Sequence, residues 1–360
     1  MNLQTTFNGI TLANPLMPAS GPLVGDDEKI LTIAGYGVGG MVTKTISIEG
    51  AKVVRPCIYG DKNTIMNAEL WSEYSAEEWI QNFLPHIAQK LNTPLLISVG
   101  YTKEDMAYLI PRLDPFAAAF EVSTHYVGKN LEAIGETVRV IRKHTQKPFF
   151  MKVSPHIPDP VAFAKVVLEN GGNGVVAINS LGPTMTVDVS TRSIKMGNTE
   201  GEAWTSGPTI KSMALAIVRK IKLALPECTV IGVGGISTVE DILEFLLVGA
   251  DAVQMLSSAM LKGKDLYEKL VKQLPEALKK YGFESIEDVL KSRITSHQVR
   301  YEPHFPTIDM QKCTKCKLCE KICPYFAIQS KDEMTIDTSQ CFGCGLCESK
   351  CPVHAISGAM

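Results

Sequence analysis

The chain has 360 residues, 45% hydrophobic and 21% charged, a composition for roughly two domains of ~150 residues, or one large and one small, and against long disorder. Its 36 basic and 38 acidic residues leave a formal charge of −2, so the totals carry no basic field for nucleic acid. No run of about 18 apolar residues marks a membrane span, and the first ten residues lack the basic-then-apolar pattern of a secretory signal; a cytoplasmic chain is expected.

In chain order, Asn8-Gly9 predicts the turn of an opening hairpin. Eight apolar runs follow, at 15–20, 40–45, 95–100, 118–123, 149–154, 174–179, 229–234 and 252–257. Most are apolar on both faces, as strands of a buried parallel sheet should be. Helical patterns separate many of them, among them 130–143 and 160–169. Ser237-Thr238-Val239-Glu240 reads as a capping box opening another helix, which Gly249 stops. Eight β/α units in about 250 residues predict an α/β fold, a closed (β/α)8 TIM barrel over residues 1–300. An open doubly wound sheet is the alternative.

A barrel places function at the carboxyl ends of its strands. Polar residues gather there: Ser20 with Ala19 and Gly21, Lys44 and Thr45, Glu121 and Ser123, Lys152, Asn179 and Ser180, Gly234 and Gly235, Ser257 and Ser258. Strand ends lie near the surface, so each alone is unremarkable; two lysines facing one mouth are more informative. The glycine-rich turn 232–236 after the seventh strand and the serines after the eighth suit a phosphate, bound by backbone N–H groups. A tight strand-to-helix turn without a ligand is the other reading.

Eight of the ten cysteines crowd into the last 48 residues. There the sequence repeats itself 28 residues on: Thr307-Ile308-Asp309 recurs as Thr335-Ile336-Asp337. Cys313, Cys316, Cys319 and Cys323-Pro324 recur as Cys341, Cys344, Cys347 and Cys351-Pro352. This is the spacing of a bacterial two-cluster ferredoxin, in which three cysteines of one loop and the fourth of the other half hold one cube. Cys313, Cys316, Cys319 and Cys351 are then expected to hold one 4Fe–4S cluster, and Cys341, Cys344, Cys347 and Cys323 the other. Zinc or disulfides fit the pattern less well. Residues 301–360 are read as this ferredoxin-like α+β domain, too small to stand easily without its clusters. Cys57 and Cys228 read as ordinary thiols, and His86, His144, His297, His304 and His354 as surface or packing residues.

Two clusters carry single electrons and need a partner centre. A barrel with a phosphate loop and mouth lysines is a natural site for FMN, which trades one electron with a cluster and a hydride with a substrate. Here the sequence resembles the FMN barrels of dihydroorotate dehydrogenase and, more closely, dihydropyrimidine dehydrogenase, over essentially the whole chain. The most specific stretch begins Asn67-Ala68-Glu69-Leu70-Trp71-Ser72-Glu73 and runs to Trp79. Further matches are Lys44-Thr45, Lys152, Asn179-Ser180, Ser206-Gly207 and Gly234-Gly235.

The resemblance implies roles by position. Ala19, Ser20, Gly21, Lys44, Thr45 and Lys152 would contact the isoalloxazine and ribityl chain, with Lys152 stabilising the reduced anion. Ser206, Gly207, Gly234, Gly235, Ser257 and Ser258 would hold the phosphate. Asn67, Glu69, Glu121, Ser123, Asn179 and Ser180 would face the substrate, and Asn67, Asn179 and Ser180 would also border the cofactor. The family's loop after strand four reads Asn-x-Ser-Cys-Pro, its cysteine being the general acid. Here Glu121 replaces the asparagine and Thr124 the cysteine. Threonine is a poor proton donor at neutral pH; His125 or Tyr126 is the expected substitute.

The implied activity moves a hydride between flavin N5 and a CH–CH or C=C bond of a small cyclic amide. Electrons would pass through the clusters to a separate NAD(P)H-flavin subunit or to ferredoxin, and the family suggests a homodimer. Two other readings stay open: a different unsaturated or carboxylated substrate, and a non-catalytic electron-transfer subunit.

Overall fold

Each apolar run becomes a short parallel strand in the computed structural model, which describes residues 1–124, 128, 130–330 and 333–360. The strands are β1 Leu16–Pro18, β2 Met41–Val42, β3 Leu95–Val99, β4 Ala119–Val122, β5 Phe149–Val153, β6 Gly174–Ala177, β7 Thr229–Val233 and β8 Ala252–Met255. A helix follows each: α1 Asp27–Ala34, α2 Leu84–Lys90, α3 Lys103–Leu113, α4 Glu132–His144, α5 Pro160–Glu169, α6 Lys211–Ala224, α7 Val239–Val248 and α8 Leu266–Lys280. Ladder pairing joins each strand from β2 to β8 to the next, and β8 pairs with β1. At the remaining seam the Gly39 N–H donates to the Leu16 carbonyl at 2.9 Å. A Cβ on Gly39 would lie 1.8 Å from the Asn14 carbonyl oxygen, so only glycine lets the chain approach there. The sheet is a closed TIM barrel, not an open doubly wound sheet.

Strand periodicity sorts the core into two. Outward residues such as Leu16, Ile97, Phe120, Met151 and Val253 pack beneath the helices. Inward residues Met17, Val42, Leu96, Ala119, Phe150, Val176, Ile231 and Ala252 form a separate cluster inside the barrel. The hairpin Thr5–Phe7 and Ile10–Leu12 plugs that cluster: Phe7 meets Phe150 edge-on, ring centroids 5.8 Å apart. Asn8 and Gly9 form its turn, both at positive φ (47° and 77°). The cap of α7 lies one residue later than the sequence pattern suggests. Thr238 accepts from the Asp241 N–H, and the Asp241 carboxylate accepts back from the Thr238 and Ser237 N–H groups. Gly249 ends that helix at φ 127°.

Two loops leave the carboxyl ends of β2 and β6 and meet as a four-stranded antiparallel sheet. Its order is Leu181–Thr184, Ala203–Ser206, Ile65–Asn67, Ile58–Gly60. Met66, Ala68, Met196 and Ala203 give it a small core of its own.

The chain divides into two units, Met1–Thr295 and Ser296–Met360. The second contains β9 Thr307–Ile308, α9 Leu318–Ile322, β10 Ile328–Ser330, β11 Met334–Ile336, α10 Leu346–Lys350 and β12 Ile356–Ser357. The first strand of each repeat pairs with the last strand of the other, β9 with β12 and β10 with β11. Interleaving of this kind carries the last cysteine of each half over to the opposite loop. Ile328, Met334, Cys347 and Ile356 form its small core among the described residues, with Ile308, Ile336, Cys313, Cys319, Cys323 and Cys351 packed partly buried against it. Among the described residues no helix is long and apolar enough to cross a membrane.

Candidate active site

One strand step beyond the apolar layer, toward the mouth, the inward residues turn polar: Ser98, Glu121, Lys152 and Gln254. Glu121 is wholly buried. One carboxylate oxygen accepts from Lys152 Nζ at 2.8 Å and the other from Gln254 Nε2 at 2.7 Å. Lys152 itself is only 8% exposed. A buried charge persists only when paired and hydrogen-bonded, and here both oxygens of Glu121 are satisfied. Glu121, expected to face the substrate, is instead occupied by a lysine and a glutamine from two other strands. Gln254 Oε1 is buried without a partner among the described residues. Beside this network runs a line of hydroxyls: Ser20 Oγ to Thr45 Oγ1 and Thr45 Oγ1 to Ser98 Oγ, each 2.9 Å.

The loop after β2 is tied down by its own residues. Trp79 is fully buried and its Nε1 donates to Ser72 Oγ at 2.9 Å. The Ser72 N–H donates to the Thr45 carbonyl at 2.8 Å. These anchors bring the acidic residues of the run onto Lys44, whose Nζ lies 3.2 Å from Glu69 Oε1 and 2.8 Å from Glu73 Oε2. Asn67 Nδ2 donates to the other Glu69 oxygen at 3.0 Å. Burial pushes the Glu73 carboxyl up, but the hydrogen bond and charge of Lys44, with its own backbone N–H, hold it below the usual carboxylate range. Burial, and then the Glu69 charge, push the nearby Cys57 thiol up, so it stays protonated at neutral pH. Cys228, buried, is pushed up to about 12.

Three loops converge on the opposite side of the mouth. Ser206 Oγ and Ser257 Oγ, after β6 and β8, are 2.7 Å apart. Gly207, Gly234 and Gly235 take positive φ of 96°, 126° and 86°. A Cβ on Gly235 would sit 2.8 Å from Lys211 Cβ and 3.0 Å from the Gly207 carbonyl oxygen, so glycine is needed where these loops touch. Ser258 Oγ is buried without a partner among the described residues.

The remaining expected residues fall around this layer. Ala19 is buried and its N–H donates to the Met255 carbonyl at 2.9 Å. A Cβ on Gly21 would meet the Leu256 side chain at 2.3 Å. Ser123 is buried. Asn179 Oδ1 accepts from the Ser180 N–H at 2.9 Å. Thr124 Oγ1 is buried with no partner among the described residues; His125 and Tyr126 lie outside them. Sequence reasoning assigned no role to Ser98, Glu73 or Gln254. A polar residue at an inward position of an otherwise apolar strand was the available signal for Ser98 and Gln254.

In the second unit, one concavity is lined by Cys341, Cys344, Cys347 and Cys323, and another by Cys313, Cys316, Cys319 and Cys351. Each set takes three cysteines from one repeat and the fourth from the other. The loops turn through left-handed residues at matching places: Lys315 and Gly343, Lys317 and Gly345, Phe326 and His354. The Ala355 N–H points at Cys351 Sγ, 3.2 Å away, and the Lys315 N–H at Cys313 Sγ, 3.4 Å away.

Residues 2–278 match the family model for dihydroorotate dehydrogenase, and residues 312–355 that for a 4Fe-4S dicluster domain. The catalytic subunit of dihydroorotate dehydrogenase B (NAD(+)) from Pyrococcus horikoshii is 30% identical over 299 residues, covering 80% of this chain and 96% of that protein. Its counterpart from Thermococcus kodakarensis is 30% identical over 300 residues, 80% of this chain and 97% of the relative. That from Oceanobacillus iheyensis is 29% identical over 306 residues, 81% and 99%. With its closed barrel, polar mouth and paired cysteine sets, the chain belongs to the dihydroorotate dehydrogenase family of oxidoreductases acting on CH–CH groups, and it carries a 4Fe-4S dicluster domain.

Proposed function

We propose that the chain is an FMN- and iron–sulfur-dependent dehydrogenase acting on a CH–CH or C=C bond of a small cyclic amide. The observation that carries this reading is the Asn67–Glu69–Lys44 constellation at the barrel mouth. An amide and a carboxylate side by side offer the donors and acceptors that complement the alternating N–H and C=O groups of such a ring.

The residues present fit a flavin phosphate. Gly207, Gly234 and Gly235 leave room where side chains would intrude, and Ser258 Oγ is a buried hydroxyl, able to donate, with no partner among the described residues. The two cysteine sets fit two 4Fe–4S clusters. FMN, when bound, supplies hydride exchange at N5 and single-electron exchange with the clusters.

This chain's own residues do the rest. Lys44 offers positive charge balanced by Glu69 and Glu73, and Lys152 offers charge balanced by Glu121. Ser20, Thr45 and Ser98 hold a hydroxyl line between strands. The proposed proton donor is His125 or Tyr126, because Thr124 is a weak acid. The relatives are named as catalytic subunits, which favours a separate protein, an NAD(P)H-flavin subunit or a ferredoxin, as the electron partner. A homodimer and a cytoplasmic setting belong to the same reading.

A second reading is favoured by Glu121 and Thr124, which replace the family's amide and thiol: the same machinery acting on another unsaturated or carboxylated substrate. Anaerobically purified protein should show flavin and iron–sulfur absorption and reduce or oxidise dihydrouracil, uracil, dihydroorotate or orotate. Coloured protein inert toward all four would leave the second reading; colourless protein would overturn both.

A further inference from the structure

We infer that Glu121 is a positioning residue for the flavin end of the barrel: by binding Lys152 and Gln254 together it cancels the lysine's charge and keeps the reduction potential of a bound flavin below what the lysine alone would set. The inference rests on the FMN reading above and adds to it the group that sets the cofactor's electron affinity.

Three strands contribute to the cluster, Glu121 from β4, Lys152 from β5 and Gln254 from β8. One carboxylate oxygen lies 2.8 Å from Lys152 Nζ and the other 2.7 Å from Gln254 Nε2. Glu121 and Gln254 are wholly buried, and the Lys152 side chain nearly so. Water therefore screens this pair little, and the lysine presents a dipole, not a net charge, to whatever lies beside it. The other ion pairs at this end do not restore positive charge, because Lys44 faces both Glu69 and Glu73. Together these pairs set two lysines against three carboxylates, net −1. A reduced flavin is an anion at neutral pH; an uncancelled lysine would stabilise it, and a cancelled one does so far less.

The carboxylate also fixes an amide. A carboxylate only accepts, so Gln254 must turn Nε2 to it. That leaves Gln254 Oε1 as a buried acceptor with no partner among the described residues, open to a donor. Gln254 stands three residues before Ser257, one of the serines read as holding the cofactor phosphate, so both belong to the same end of the barrel. A glutamine at position 121 would undo the arrangement. Its oxygen can accept from Lys152, but its N–H2 group then meets Gln254, which must turn Oε1 toward it.

The test is the midpoint potential of bound FMN, read from the flavin band during anaerobic reduction by xanthine and xanthine oxidase against a dye of known potential. E121Q should raise the ratio of reduced to oxidised flavin at a fixed potential by about tenfold or more, about 30 mV for a two-electron couple. E121D keeps the charge and should stay near the wild-type value. E121Q/K152M removes both charges and should also stay near it, because the pair it removes already cancels. A purely structural Glu121 would lower stability and leave the potential alone. The inference falls, and the FMN reading stands, if flavin-loaded E121Q keeps the wild-type potential, if E121D rises as far as E121Q, or if the double variant drops by tenfold in that ratio. Wild-type protein without flavin would overturn both together. Should E121Q fail to hold FMN, the double variant, which buries no unpaired charge, decides alone.

Discussion

The barrel and the dicluster unit solve the problem of holding a fold together in opposite ways. The barrel buries two apolar clusters, one under its helices and one inside its sheet, with Phe150, Phe120 and Trp79 fully out of water. The unit from Ser296 to Met360 has a core of four buried residues, one of them Cys347, and ligand cysteines supply much of its remaining contact. Hydrophobic burial therefore suffices for the first, while the second, on the iron–sulfur reading proposed above, would depend on bonds to metal. The difference also separates two kinds of buried polarity. In the barrel, charge is tolerated because Glu121 and Lys152 satisfy each other; in the small unit, on the proposed reading, a cluster would take the thiolates.

The sharpest break of this comparison is removal of iron. Chelation under air should unfold residues 296–360 while the barrel keeps its cooperative melt, seen as loss of one set of protected amides in hydrogen exchange. A dicluster unit that survives intact without iron would refute the contrast. Next in size is the barrel's inner cluster: Phe150→Ala should cost about 3–5 kcal/mol by denaturant unfolding, because the hairpin plug cannot refill the space. Glu121→Ala should destabilise the barrel by a comparable ~3–5 kcal/mol, since Lys152 is left buried and unpaired. Glu121→Gln with Lys152→Met should cost less than the sum of the two single changes, a coupling that a double-mutant cycle measures.

Smaller effects sharpen the picture. Thr238→Ala should cost about 1 kcal/mol through loss of the α7 cap, read as a lowered melting temperature. Relaxing the first cysteine loop with Lys317→Gly should add about 1 kcal/mol to the small unit, measured on the holoprotein. The smallest effect is the pH dependence of the Lys44–Glu73 pair. The folded Glu73 pKa is depressed, so its contribution is full above the ordinary glutamate pKa and is lost as pH falls through the folded value. Glu73→Gln should therefore lower the melting temperature slightly in the neutral range and meet the wild type at the acid end, flattening the acid limb, an effect kept small by the partial exposure of Glu73.

Local pattern made the eight strands, the Asn8-Gly9 turn and the two cysteine repeats legible, because period, turn chemistry and ligand spacing are written along the chain. The family followed from the run 67–79 and the duplicated cysteines for the same reason. What one-dimensional reading could not supply was which inward side chains meet. Glu121 stands 31 residues from Lys152 and 133 from Gln254, and only the closed barrel, which turns alternate residues of every strand toward one axis, brings a carboxylate expected at the substrate onto a lysine and a glutamine instead. The pairing of Lys44 with both Glu69 and Glu73 was likewise decided by tertiary structure, whereas the cap at Thr238 and Asp241 is a local contact three residues apart. Charge and hydrogen-bond partners are chosen by distance in space, and distance in space is set by closure of the sheet.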